Sequence, residues 1–213
     1  MKIIKPSFTI ETEIDGNKIL KHIEKVGRTC YKSEKRITDE SAALFVRNIL
    51  KNGHEAVIEH WSITVRVVCD RGVSHEIVRH RMASYAQEST RYCNYSKDKF
   101  ENQITFIEPF FWDVNTDEGK KKYDLWKNVM EYTEKNYMEL IKSGATPQEA
   151  RSILPNSLKT ELVMTMNLRE WRHFFRLRAS KEAHPQIREI TILMLAEFKR
   201  LISVIFNDIG GEE

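Results

Sequence analysis

Between Trp61 and Asp70 the chain alternates apolar and polar residues, with Trp61, Ile63, Val65, Val67 and Cys69 on one side. That two-residue period predicts a half-buried strand of an antiparallel sheet. Leu158, Thr160, Leu162, Met164 and Met166 repeat it after Pro155 and predict a second strand. β-Branched and aromatic residues around Pro6 predict an opening strand within residues 2–14, and Ile104, Phe106 and Ile107, ended by Pro109, predict another. Helical spacing takes over elsewhere. Ile19, Leu20, Ile23 and Val26 follow the turn Asp15-Gly16-Asn17; Ala42, Phe45, Val46, Ile49 and Leu50 lie between an expected N-cap at Thr38-Asp39-Glu40 and Gly53 at C′. Gly72 breaks the strand that Asp70 ends, and Val73, Ile77 and Val78 predict a short helix.

The longest amphipathic run, from Asp117 to Ser143, carries Tyr123, Trp126, Val129, Met130, Thr133, Tyr137, Leu140 and Ile141 on one side, a stripe suited to a core or a subunit interface. Thr146-Pro147-Gln148-Glu149 is a capping box that starts a short helix presenting Arg151. Asn167 caps the next helix, whose polar side is expected to carry Arg169, Arg172, His173, Arg176 and Arg178. Pro185 opens a last helix running through Ile205. These elements predict an α+β fold: a mostly antiparallel sheet flanked by helices, in a single domain over residues 1–213 with no linker or repeat.

With 41% apolar and 31% charged residues among 213, the chain can bury a proper core. No apolar run approaches the roughly 18 residues of a membrane helix, so no membrane partner is expected. Three cysteines, Cys30, Cys69 and Cys93, are odd in number and widely spaced, which points to a reducing cytoplasm rather than a disulfide frame. The net charge is only +3, from 34 Lys+Arg against 31 Asp+Glu, which argues against a non-specific nucleic-acid binder. The positive charge is local: Arg71, Arg79, Arg81 and Arg91 form one cluster, Arg169, Arg172, Arg176 and Arg178 a second. Such clusters suit a small anionic ligand, or surface ion pairs.

The stretch Arg79-His80-Arg81-Met82-Ala83-Ser84-Tyr85-Ala86-Gln87-Glu88-Ser89-Thr90-Arg91 is too polar for a core segment. It reads either as a surface helix end running into a loop or as a site that clamps an anion with guanidinium forks. In Gly53-His54-Glu55-Ala56-Val57-Ile58-Glu59-His60 the six-residue gap between His54 and His60 does not fit the i, i+4 spacing of helical metal ligands, so no metal is expected. Gly-rich dinucleotide and phosphate loops and the Gly-x-Ser-x-Gly elbow are missing from the sequence. Guanidinium, imidazole and hydroxyl groups orient ligands and stabilise charge; redox or one-carbon chemistry requires a cofactor.

Arg79-His80-Arg81, seven residues and Ser89 resemble the Arg-His-Arg-x7-Ser signature of the flavin-dependent thymidylate synthases. Three further blocks resemble that family in the same order: the Gly53-His54 to Glu59-His60 turn, Ala150-Arg151-Ser152-Ile153-Leu154-Pro155, and Asn167-Leu168-Arg169 leading to Leu177-Arg178-Ala179. The resemblance implies a homotetramer with active sites shared between subunits. It implies FAD as cofactor, NADPH as reductant, and methylenetetrahydrofolate as carbon donor for conversion of dUMP to dTMP. Carried over motif by motif, it places His54, Arg79, His80, Arg81, Gln87, Asn167, Leu168, Arg169 and His173 at FAD. Glu76, Arg79, Gln87, Glu88, Ser89, Thr90, Arg91, Arg151 and Arg178 fall at dUMP. Arg91 and Arg151 suit its phosphate; Arg178 is expected to polarise the uracil at N3, and Ser89 to position the nucleotide rather than react.

Some positions depart from the family's commoner pattern. Ala86 stands where Asn is frequent, Gln87 where Glu is frequent, and Ala56 where a small hydroxyl is frequent. Glu182 stands where a histidine is expected, with His184 two residues on. Two rival classes make distinct predictions. An RNA-binding module would be colourless, with affinity falling steeply with salt. A metal hydrolase using His54, Glu59 and His60 would hold stoichiometric metal.

Overall fold

In the computed structural model, which describes residues 1–210, the elements run in chain order as β1 (Lys2–Ile4), β2 (Ser7–Ile10), α1 (Gly16–Thr29), α2 (Ser41–Lys51), β3 (Ser62–Asp70), α3 (Arg71–Ile77) and β4 (Ala83–Gln87). β5 (Thr105–Ile107), α4 (Asp117–Lys142), α5 (Pro147–Ala150), β6 (Lys159–Asn167), α6 (Leu168–Arg178), α7 (Pro185–Leu201) and α8 (Ser203–Phe206) follow. A four-stranded sheet has the order β2-β3-β6-β4, and β1 pairs with β5 in parallel, Ile3 opposite Phe106. The expected α+β class, a mostly antiparallel sheet with flanking helices, is what forms.

The chain divides into two compact units: Met1–Ser7, Val67–Arg79 and Ala86–Leu162 make the first; Phe8–Arg66, His80–Tyr85 and residues from Val163 onward make the second. The core of the first unit is built from Tyr95, Ile104, Phe106, Met130, Tyr137, Ala150 and Leu158, all buried. Met130 and Tyr137 stand one heptad apart on α4, so the stripe read from the sequence does face a core. Not all of it does: Val129, assigned to the same stripe, is exposed, as are Leu125 and Tyr132.

In the second unit Ile63, Val65, Met164 and Met166 are buried at alternate strand positions, as the two-residue period requires. The same unit holds an aromatic cluster in which Trp171, Phe175, Phe198 and Phe206 meet at centroid distances of 4.9–5.8 Å. Such edge and offset ring pairs add to the area they bury. Trp171 Nε1 donates to the Ile63 carbonyl at 3.1 Å, so the indole gives up no hydrogen bond on burial. Gly53 takes φ 70° at the end of α2, where His54 N bonds Ile49 O at 2.8 Å, the left-handed C′ that the sequence predicts.

Four expectations are corrected. The opening strand is two short strands separated at Pro6, whose missing N–H breaks a ladder. α2 has no side-chain cap at Thr38; instead Ser41 Oγ accepts from Thr38 N at 2.9 Å and donates to Glu24 Oε2 at 2.7 Å. The last helix breaks at Ile202, where φ −140° and ψ 60° turn the chain and bury both Ile205 and Phe206. Finally, the stretch after His80 is neither helix end nor loop throughout. It contains strand β4, whose Ala83, Tyr85 and Gln87 are half buried while Ser84 and Ala86 are exposed.

Candidate active site

Each unit gathers its own set of polar side chains. In the first, Asp70 ends β3 and caps α3 by accepting from Val73 N at 2.7 Å, and α3 carries the half-buried Glu76 and ends beside the exposed Arg79. β4 then delivers Gln87, whose Nε2 donates to Ser74 Oγ at 2.9 Å and to Thr160 Oγ1 at 3.2 Å. The Gln87 amide thus acts as donor to both hydroxyls, a role an ionised carboxylate could not take. Glu88 is pinned by Lys159 Nζ at 2.8 Å and Tyr95 Oη at 3.2 Å, so both its carboxylate oxygens are engaged.

The chain then turns. Ser89 O accepts from Tyr92 N and Cys93 N, Ser89 Oγ accepts from Arg91 N at 3.4 Å, and Thr90 is buried. Arg151, presented after α5 by its capping box, reaches Thr90 Oγ1 at 3.5 Å. Arg91 remains exposed, its guanidinium 5.4 Å above the Tyr92 ring. Ser89, Thr90 and Arg91 follow one another at this turn and Arg151 joins it through Thr90, a set of hydroxyl and guanidinium groups whose chemistry suits an anion.

In the second unit Asn167 accepts from Glu170 N at 2.9 Å, which fixes the start of α6. The helix then aims Glu170, Phe174 and Arg178, at i, i+4 and i+8, towards one imidazole. His80 is buried, with Nδ1 3.1 Å from Glu170 Oε1, Nε2 accepting from Arg178 Nε at 3.1 Å, and its ring edge-on to Phe174 at 4.9 Å. The exposed His173 lies edge-on to it at 5.6 Å. Burial, with Arg178 adding to it, lowers the His80 pKa below its ordinary value, against the opposing pull of Glu170. Tyr85 Oη donates to His80 O at 2.7 Å, and burial followed by the Glu170 charge pushes the phenol up to about 12.

Among the described residues, His80, Glu170 and His173 are the group whose ligand atoms converge, within 4.8 Å of one another. The Arg178 guanidinium already occupies the His80 lone pair and would repel a cation there. His54, Glu59 and His60 do not converge in that way, and Glu59 is taken by Arg169 Nη1 at 2.6 Å.

His54, Arg81, Arg169 and His173 are all exposed in this second unit and offer donors to a ligand. Leu168 is different: its side chain is fully buried and its N–H donates to Trp61 O at 3.0 Å, so it serves the core. Arg172, expected on the polar side of α6, is also buried and bonds Glu55, Asp208 and the Ile205 carbonyl. In the sequence Glu170 stands out only as a helix-start residue; its i, i+4, i+8 run with Phe174 and Arg178 is the signal that marks it.

Fold and side chains together define an α+β protein bearing a hydroxyl-rich turn joined by Arg151 in one unit and an arginine–imidazole cluster in the other. Residues 14–202 match the family model described as Thymidylate synthase complementing protein. The flavin-dependent thymidylate synthase of Pyrococcus furiosus is 37% identical over 175 residues, covering 82% of this chain and 69% of that protein. That of Geobacter sulfurreducens is 33% identical over 190 residues, covering 86% and 78%. The crystal structure of the UMP/dUMP methylase PolB from Streptomyces cacaoi, bound with 5-Br dUMP, shares the fold with TM-score 0.79 at 21% identity, covering 97% of this chain and 96% of that one. The chain belongs to the flavin-dependent thymidylate synthase family and is an enzyme.

Proposed function

We propose that this enzyme converts dUMP to dTMP, with FAD as bound cofactor, NADPH as reductant and 5,10-methylenetetrahydrofolate as carbon donor. The observation that carries the reading is the pairing of Arg151 with Thr90 beside Ser89 and Arg91, a cradle of the right chemistry for a nucleotide phosphate. Glu76, Arg79 and Gln87 complete the nucleotide set in the first unit. Glu88 supports it by holding Lys159 and Tyr95 in place.

The residues of the second unit fit a flavin. Arg81, Arg169, His54 and His173 are exposed donors for a dinucleotide's phosphates and ring edges. The Asn167 amide can donate while its oxygen keeps the helix cap. Arg169 is held by Glu59 in a pair exposed on both sides, which a phosphate can displace at little cost. When bound, FAD would supply the hydride that completes the methyl group. Arg178 polarises the uracil at N3, stabilising charge without transferring a proton itself, and Ser89 holds the nucleotide.

Residues 1–213 act as one catalytic domain in this reading, supported by a family match over residues 14–202 that includes segments of both units. The enzyme is a homotetramer of the cytoplasm, and its exposed Leu125, Val129 and Tyr132, at i, i+4 and i+7 on α4, suit a subunit contact. Among the described residues no helix is long and apolar enough to cross a membrane.

A visible absorption spectrum tests the proposal against its rivals. A yellow protein that bleaches with NADPH is expected. A colourless one with stoichiometric metal, or one binding RNA with a steep salt dependence, would overturn it.

A further inference from the structure

The imidazole of His80 is specified atom by atom by its neighbours in the second unit. A carboxylate only accepts, so the Glu170 contact places a proton on Nδ1; an Arg Nε–H only donates, so the Arg178 contact requires a lone pair on Nε2. One neutral tautomer satisfies both. Tyr85 holds the backbone of the same residue through its carbonyl, and Phe174 packs its ring. Glu170 itself is placed by the Asn167 cap and by the helical spacing that puts Arg178 two turns further on.

We propose that Glu170 is a positioning residue that acts through His80, fixing the tautomer whose Nε2 holds Arg178 Nε–H and so setting the orientation of the Arg178 guanidinium towards its ligand. The proposal rests on the role given above to Arg178 in polarising the uracil. Glu170 touches neither nucleotide nor flavin in this account; it determines whether Arg178 is aimed.

The arrangement depends on pH through geometry. The titratable and charged groups facing the imidazole are Glu170, His173 and Arg178 from α6, while Tyr85 from β4 bonds the backbone carbonyl of the same residue. Protonation places an N–H on Nε2 opposite the Arg178 N–H, donor against donor, and the hold on Arg178 is lost. Burial and Arg178 favour the neutral ring, while Glu170 favours the imidazolium. Turnover therefore falls on the acid side, as His80 gains its proton. Glu170→Gln keeps an oxygen to accept Nδ1–H but removes the negative charge, so the His80 pKa and the acid limb both move to lower pH. Glu170→Ala leaves the tautomer unspecified and costs roughly 10- to 100-fold in kcat, with the KM for dUMP little changed.

The test is nitrogen-15 NMR of the histidine-labelled full chain, with the His80 resonance assigned by its loss in His80→Gln, alongside the pH profile of dTMP formation. Expected are a proton on Nδ1, a downward shift of the His80 pKa in Glu170→Gln, and an equal shift of the acid limb. A proton on Nε2, or a pKa and acid limb that Glu170→Gln leaves unmoved, overturns the proposal. Should Glu170→Ala fail to fold, the isosteric Glu170→Gln still decides the matter. The NMR arm needs no catalysis, so failure of the dTMP reading has its own signature: the expected tautomer and pKa shift in a protein that makes no product.

Discussion

Arg172 and Asp208 form a two-pronged ion pair in which Nη1 lies 2.7 Å from Oδ1 and Nη2 lies 2.6 Å from Oδ2. Arg172 Nε also donates to Glu55 Oε1 at 3.1 Å, and its side chain is 2% exposed. This guanidinium ties α6 to the turn before β3 and to the segment after α8. Removing one partner of a buried pair strands the other, a loss of ~3–5 kcal/mol. Arg172→Ala should cost about 3 kcal/mol, the low end of that range, because Asp208 stays half in water. Arg172→Met should cost less. Denaturant unfolding measures both.

The same pair gives a pH dependence of stability. Hydrogen bonding to Arg172 holds the Asp208 pKa below its ordinary 3.8, so its folded value is depressed. The stabilisation is present above the unfolded carboxylate range and is lost as pH falls through the depressed value. Melting curves of the parent should therefore lose stability on acidification by a component that Asp208→Asn lacks. Equal acid slopes for the two proteins would contradict this.

Arg151 reaches Thr90 with a long 3.5 Å contact, which leaves the guanidinium available to an anion. Arg151→Ala should weaken dUMP binding by more than tenfold, since a charge-assisted hydrogen bond is worth ~1.5–3 kcal/mol. Isothermal titration at two salt concentrations checks it: the deficit should shrink as salt rises.

Arg169 is shared between Glu59 and the proposed flavin site. Arg169→Ala should lower FAD affinity about tenfold. Glu59→Gln releases the same guanidinium and should leave FAD affinity unchanged or raised. Quenching of flavin fluorescence on titration with protein reads both, and a loss of affinity in Glu59→Gln would count against Arg169 as a ligand.

Most of the fold was legible because its signals are local. The alternation in Trp61–Asp70 and Leu158–Met166 gave the two central strands, and Gly53, Asn167 and the Thr146 capping box marked helix ends. β4 was not legible: Ala83-Ser84-Tyr85-Ala86-Gln87 has no apolar alternation, and its strand state follows from tertiary pairing beside β6. The site divides in the same way. The Arg-His-Arg-x7-Ser block and Arg151 could be picked out as residues, yet nothing local says that Arg172 is buried or that Glu170 and Arg178 share one imidazole. Both facts depend on which face of α6 turns inward, and arginines at 169, 172, 176 and 178 blur that face in the sequence.

The most direct measurement is the product assay: the full chain with FAD, dUMP, 5,10-methylenetetrahydrofolate and NADPH, with dTMP quantified by mass spectrometry, run beside Arg178→Ala. Expected are dTMP that requires every component, and an Arg178→Ala protein that keeps its FAD but loses turnover by more than tenfold, matching loss of a charge-assisted contact. No dTMP from the parent chain, or near-normal dTMP from Arg178→Ala, would contradict it.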